Sequence, residues 1–179
     1  MRHTTQKRNK MKKLSFFVIL IALLVSCNDT LTVDNTPIEK FDINRYLGKW
    51  YEIARFDHRF ERGVDLPRTT YTLLEDGTIS VINVGVKNGK LKEAKGIAEL
   101  TDTPALLRVT FFRPFYDDYR ILLLDKDYEY ALVGSSSDNY LWVLSRTPKL
   151  SEDAKDIVLK EAQRRGYDTS KLIWVKQVH

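Results

Sequence analysis

Between residues 49 and 146 the chain is a succession of short apolar-rich segments separated by turn signals, with no helical periodicity between them. Few folds accept such a pattern. Segments near 49–56, 68–74, 78–86, 93–100, 106–112, 119–125, 129–134 and 140–146 read as strands. Glu75-Asp76-Gly77 and Lys87-Asn88-Gly89-Lys90 read as hairpin turns, because Asp-Gly and Asn-Gly accept the positive φ that tight hairpins demand. Asp125-Lys126-Asp127 and the polar run Ser135 to Asn139 supply further turns. This spacing leaves no room for crossover helices, so neighbouring strands must pair antiparallel as a meander. Eight strands in a row also leave two sheet edges to hide, and closing the sheet removes both. The expected fold is therefore all-β: an eight-stranded antiparallel up-and-down β-barrel, wide enough to be filled by side chains or to hold one small ligand. An open two-sheet sandwich is the alternative that the strand count leaves.

One long helix is expected after the last barrel strand. Ser151 suits its N-cap, Glu152 and Asp153 its first turn, and Gly166 its C-terminal stop. Ala154, Ile157, Val158 and Ala162 are read as one apolar face opposite a charged one, so the helix should pack outside the barrel. A short final strand is expected over Leu172 to Val175.

The N-terminus follows different rules. Lys12-Lys13 precede an apolar run from Leu14 to Val25, interrupted only by Ser15. At about twelve residues the run falls short of the roughly 20 needed to span a bilayer, and residues 1–26 read as an export signal. Met11, just before the lysine pair, is an alternative start. The run ends Leu24-Val25-Ser26-Cys27, which resembles the lipobox of bacterial lipoproteins. That resemblance implies cleavage before Cys27 and acylation of its thiol and new amino group. Cys27 is the sole cysteine, so no intramolecular disulfide can form. Asn28, where lipoproteins held at the inner membrane commonly carry Asp, implies a place in the cell envelope as an outer-membrane lipoprotein. Residues 27–40 are then the lipidated cysteine and a polar tether, and 41–179 the barrel domain.

Charge supports no nucleic-acid role. The formal charge of +5 arises from 29 Lys and Arg against 24 Asp and Glu, but six of the basic residues precede Cys27. From Cys27 onward 23 basic residues face 24 acidic ones, so the folded domain carries no basic excess of the kind a nucleic acid needs.

Residues 44–56, Asn-Arg-Tyr-Leu-Gly-Lys-Trp-Tyr-Glu-Ile-Ala-Arg-Phe, resemble the first lipocalin motif, with its Gly-x-Trp at Gly48 and Trp50. Tyr140 to Pro148 resembles the last lipocalin motif, and Asp125 to Val133 the middle one. The match covers about residues 41–177 and lies nearest the branch with the bacterial outer-membrane lipocalins and apolipoprotein D. It departs from apolipoprotein D in lacking disulfide cysteines. The resemblance implies that Arg146 packs across Trp50 and closes one barrel end. Gly48, Trp50 and Arg146 are therefore expected to be structural.

Strand alternation proposes the cavity lining. If Arg146 faces inward, so do Leu144, Trp142 and Tyr140. On neighbouring strands the inward sets are Leu107, Val109 and Phe111, and Ile79, Val81 and Asn83. The resemblance to apolipoprotein D implies pocket positions at Tyr46, Tyr71, Asn83, Phe111, Trp142 and Leu144. The candidate ligand-binding residues are thus Tyr46, Tyr71, Val81, Asn83, Val109, Phe111, Tyr140, Trp142 and Leu144. Asn83 stands out, because an amide facing an apolar interior is costly without a partner. Arg59, Arg62 and Arg68, in or beside the first long loop, are candidates for a ligand's acidic head group.

No catalytic constellation is evident. His3, His58 and His179 are the only histidines, and no His or Cys pair has metal-ligand spacing. Ser135, Ser136 and Ser137 lack a nucleophile-elbow context, and Asp117-Asp118 reads as a solvated pair. No catalytic residue, metal or cofactor is expected. The expectation is a membrane-anchored, non-enzymatic carrier of small hydrophobic ligands, fatty acids or lysophospholipids. A homodimer stays open as an oligomeric state. A lipocalin-fold enzyme acting on a lipid and a structural protein with a filled barrel are the alternatives.

Overall fold

The computed structural model describes residues 33–177. The expected signal segment 1–26, Cys27 and residues 28–32 lie outside them. Residues 31–179 form one compact unit that contains both of the chain's hydrophobic cores.

Eight strands form the barrel: β1 (Gly48–Arg55), β2 (Val64–Leu73), β3 (Ile79–Lys87), β4 (Lys90–Leu100), β5 (Leu106–Phe112), β6 (Phe115–Leu124), β7 (Tyr130–Gly134) and β8 (Leu141–Ser145). Each pairs antiparallel with the next, and β1 pairs with both β8 and β2, which closes the sheet and excludes the open sandwich. The turn chemistry is as expected, with positive φ at Gly77 and at the Asn88-Gly89 pair. Three strands, β2, β4 and β6, start three or four residues earlier than the apolar pattern implies. β2 accommodates Pro67 by a register irregularity between Asp65 and Arg68, and β4 begins in the polar run Lys90-Leu91-Lys92-Glu93, extended beyond the packed core.

The strands' two faces bury two separate cores. Inside the barrel lie Trp50, Tyr71, Ile79, Val81, Ala98, Leu107, Ile121, Val133 and Leu144. Outside it, Ile53, Ala54, Leu122, Leu132, Leu141 and Val143 meet Ala154, Val158 and Ala162 of α2 (Glu152–Arg164). Ser151 caps α2 by accepting from the Ala154 amide at 3.2 Å, and Gly166 at φ 89° ends it. Ile157 is a correction to the expected stripe. It is 46% exposed, because the buried face follows a strict i, i+4 row that leaves position 157 on the flank. A two-residue β9 (Ile173–Trp174) pairs with β1 outside the closed barrel.

Two features were not foreseen. A short helix, α1 (Ile43–Tyr46), is capped by the Asp42 carboxylate and carries Tyr46 under the barrel. The second concerns residues 33–40, read as tether. Asn35 Nδ2 donates to the Ser135 carbonyl, and the Ile38 amide to the Ile121 carbonyl. Buried Arg165 donates to the carbonyls of Asp34, Thr36 and Leu122. This guanidinium fastens the incoming segment to the barrel wall from Asp34 onward.

Candidate functional site

At the closed end, Arg146 Cζ stands 3.9 Å from the centroid of the Trp50 ring. The guanidinium also donates to the carbonyls of Arg45, Leu47, Lys49 and Tyr128 at 2.7–3.2 Å. Trp50 Nε1 donates to the Tyr46 carbonyl at 2.8 Å. Gly48 has φ 93°, a backbone conformation that favours glycine, and it lies against Arg146 Nη1. The three motif residues form a plug in which the Trp50 N–H and four of the five Arg146 N–H groups donate to backbone carbonyls.

Above the plug, three phenols meet. Tyr46 and Tyr119 hydroxyls are 2.6 Å apart, and Tyr71 donates to the Tyr119 hydroxyl at 2.9 Å. Burial pushes all three pKa values above the ordinary phenol range, so the cluster is neutral. Tyr119 was missing from the candidate set, although alternation from Leu107 across the β5–β6 register would have placed it inside.

The next level is apolar and comprises Val81, Val109 and Leu144. Asn83 faces the same interior, where Thr69 Oγ1 donates to its Oδ1 at 2.7 Å, meeting part of the amide's requirement. Phe111 lies at the open rim and is 48% exposed. Gly96 makes room for it: a Cβ there would lie 2.9 Å from two atoms of the Phe111 ring.

The most polar part of the interior was not foreseen. Glu52 and Arg55 are both buried and joined at 2.6 Å. Strict alternation puts Arg55 outside when Trp50 and Glu52 point in. A register shift in the β1–β8 ladder between Glu52 and Ala54 changes the phase, and Arg55 then pairs with inward-facing Trp142. The loop after β1 folds over this pair. Arg55 Nη2 donates to the Glu61 carbonyl at 2.9 Å, and Trp142 Nε1 donates to Glu61 Oε2 at 3.2 Å. His58 stacks on Phe60, and Tyr140 stacks on Trp142. Of the arginines proposed for a head group, Arg62 pairs with Asp57 on the surface; the guanidinium inside the barrel is Arg55.

Two carboxylates face one guanidinium here. Burial raises the pKa of Glu52, the Glu61 charge raises it further, and Arg55 only partly offsets both. Burial likewise raises Glu61. His58 is lowered to about 4, by burial first and then by the Arg55 charge. Its Nε2 lies 3.2 Å from Glu61 Oε2 but out of hydrogen-bond alignment, so neither ring nitrogen has a partner.

A folded pKa below the unfolded value near 6.5 gives a contribution that is present above pH 6.5 and lost as pH falls toward 4. The full loss is roughly 3 kcal/mol. The two glutamates act oppositely: their contribution is present below their unfolded pKa and lost as pH rises through the raised values. His58→Phe should therefore flatten the acid limb of stability against pH, read as the difference from wild type in urea midpoints between pH 4 and 7. An unchanged difference across that range would contradict the buried neutral imidazole.

Known proteins share both sequence and architecture with this chain. The profile of the Lipocalin-like domain matches residues 41–177. Outer membrane lipoprotein Blc of Escherichia coli K12 is 47% identical over 160 residues, covering 87% of this chain and 90% of that protein. Temperature-induced lipocalin-1 of Arabidopsis thaliana is 42% identical over 147 residues, covering 75% and 78%. The crystal structure of insecticyanin from Manduca sexta superposes with a TM-score of 0.69 at 21% identity, covering 82% and 86%, which speaks to the fold alone.

Proposed function

The chain belongs to the lipocalin-like family, and from that premise we propose that it is a lipid-anchored, non-enzymatic carrier or scavenger of single-tailed lipids, fatty acids or lysophospholipids, in the cell envelope. One observation carries this reading. Asn83, Val109, Tyr119 and Trp142 face the interior of a closed barrel yet keep accessible surface. Ile79, Leu107 and Ile121 of the lowest layer are fully buried, so the accessible interior surface lies between the tyrosine cluster and the mouth.

An acyl tail entering from the open end would lie against Val81, Val109, Phe111 and Leu144. Its head group would stand near Arg55, Glu61, Tyr140 and Trp142. Burying 12–16 carbons is worth roughly 10–13 kcal/mol at about 0.8 kcal/mol per CH₂. Lost rigid-body freedom takes back about 4–15 kcal/mol, so the tail alone reaches the roughly 8 kcal/mol of micromolar binding only at the favourable end of these ranges, and polar contacts to the head group supply the rest. The outer-membrane placement draws on the lipobox at Cys27 and on the relative named outer membrane lipoprotein Blc.

Native mass spectrometry of the protein extracted gently from membranes tests this directly. One single-tailed lipid per chain is the expected species, lost on delipidation and regained on adding the lipid. A ligand-free barrel that takes up no added lipid would favour the filled-barrel reading. Turnover of a bound lipid, abolished by His58→Gln or Asp117→Asn, would instead make it an enzyme.

A further inference from the structure

We infer that the open end of the barrel is a docking surface for an anionic lipid bilayer, so that the mouth opens directly onto the membrane. The hairpin tips and loops at that end carry the most exposed large apolar residues in the described chain. Phe60, Leu91, Phe112 and Phe115 are 63–75% exposed. They lie in the loop after β1, the β3–β4 hairpin and the β5–β6 hairpin, where Phe112 and Phe115 stack with rings 9° from parallel. Exposed aromatic and aliphatic side chains on separate projecting tips suit insertion into a soft surface better than docking on a rigid groove.

The charges around these tips are predominantly basic. The same turns and the strand ends beside them hold Arg59, Arg62, Lys87, Lys90, Lys92 and Arg113, against Asp57, Glu61, Asp65, Asp117 and Asp138. Asp57 and Arg62 bind each other and Glu61 is turned into the barrel, which leaves five basic side chains against Asp65, Asp117 and Asp138. The turns at the opposite end, 74–78, 101–105 and 125–129, reverse the balance. They hold Glu75, Asp76, Asp102, Asp125, Asp127 and Glu129 against Lys126, while Arg45, Lys49, Arg146 and Lys149 flank the same end beside β1 and β8. The apolar residues beside those turns, Leu73, Leu74 and Leu100, are only 37–48% exposed. Apolar tips ringed by basic side chains at one end, and acidic turns at the other, orient the barrel toward an anionic interface.

A second observation is independent of the rim, and rests on the reading of Cys27 as the acylated residue. The N-terminal segment joins the domain at the level of the open end, where Asn35 donates to the Ser135 carbonyl one residue beyond β7. It then runs toward the closed end, where the Asp42 amide donates to the Tyr128 hydroxyl. Five residues lie between Cys27 and Val33, and the six steps reach about 20 Å when fully extended. The β5–β6 tip at Phe115 stands five residues above Arg120, which pairs with Gly134, or roughly 16 Å along the strand. A mouth-down barrel therefore fits the tether.

The test uses residues 31–179, which contain both cores and no acyl anchor, in co-flotation with vesicles of 70% phosphatidylcholine and 30% phosphatidylglycerol. Binding to these vesicles is expected, with little binding to pure phosphatidylcholine and a steep fall at 0.5 M salt. Phe112→Ser with Phe115→Ser should lower partitioning at least about tenfold, while Leu73→Ser with Leu100→Ser leaves it unchanged. Thermal unfolding confirms that both pairs fold. No flotation, or flotation indifferent to the Phe112 and Phe115 changes, overturns the inference. So does a dimer in sedimentation that those changes dissolve, because a second copy would then cover the rim. Titration with lysophospholipid in the absence of vesicles separates this from the proposed function. Lipid binding without vesicle docking overturns the docking surface alone; vesicle docking without lipid binding overturns the carrier reading alone.

Discussion

Trp50→Ala is expected to lower the unfolding free energy by about 3–5 kcal/mol, the usual range for deleting a large buried aromatic. Trp50 is wholly inaccessible, packs at a tilt of 32° against Tyr46 with centroids 4.7 Å apart, and supports the Arg146 guanidinium. Its loss would leave a cavity at the closed end and strand the positions of Tyr46 and Arg146 together. The two sites are therefore coupled, and Arg146→Ala added to Trp50→Ala should cost less than the sum of the separate changes. Urea unfolding of residues 31–179 measures both. Because the plug lies below the tyrosine cluster, affinity measured on the folded fraction should change little. A variant of undiminished stability that has lost its ligand would contradict the structural assignment of Trp50.

Cys27→Ser should move the protein from the membrane fraction to the soluble fraction, with no fatty acid on its N-terminus. One acyl chain binds membranes only marginally and reversibly, whereas two or three anchor stably, so the change in partitioning should be close to complete. The docking surface at the barrel mouth leaves a residual, salt-sensitive association with anionic vesicles that washing at high ionic strength removes. A Cys27→Ser protein that resists such washing, together with a wild type free of fatty acid, would contradict acylation at this residue.

Much of the architecture was legible because period-two alternation and turn chemistry are local. The Asn88-Gly89 hairpin needs nothing beyond its two residues, and Leu107, Val109, Trp142 and Leu144 face inward on unbroken stretches of strand. What was missed depends on breaks in periodicity or on distant contacts. Arg55 enters the barrel because of the shift after Glu52, and no residue type near it announces a bulge. Glu61 is one acid among several charged residues in a loop. Only the folded chain brings it to Trp142, 81 positions away. The docking of Asp34 and Thr36 follows from Arg165, which in sequence is merely a basic residue at a helix end. Ile157 shows the converse error, in which an apolar residue at helical spacing lies just off the row that packs.

The central claim, that the barrel interior receives a single-tailed lipid, is tested most directly by titrating residues 31–179 with fatty acids and lysophospholipids. Trp142 emission follows binding to the wild type, and calorimetry follows the Trp142→Ala variant. The account predicts saturation at one lipid per barrel with a dissociation constant in the micromolar range or below, weakened at least about tenfold by Trp142→Ala. Failure of every single-tailed lipid to bind below roughly 100 μM, equivalent to about −5.5 kcal/mol, would contradict it.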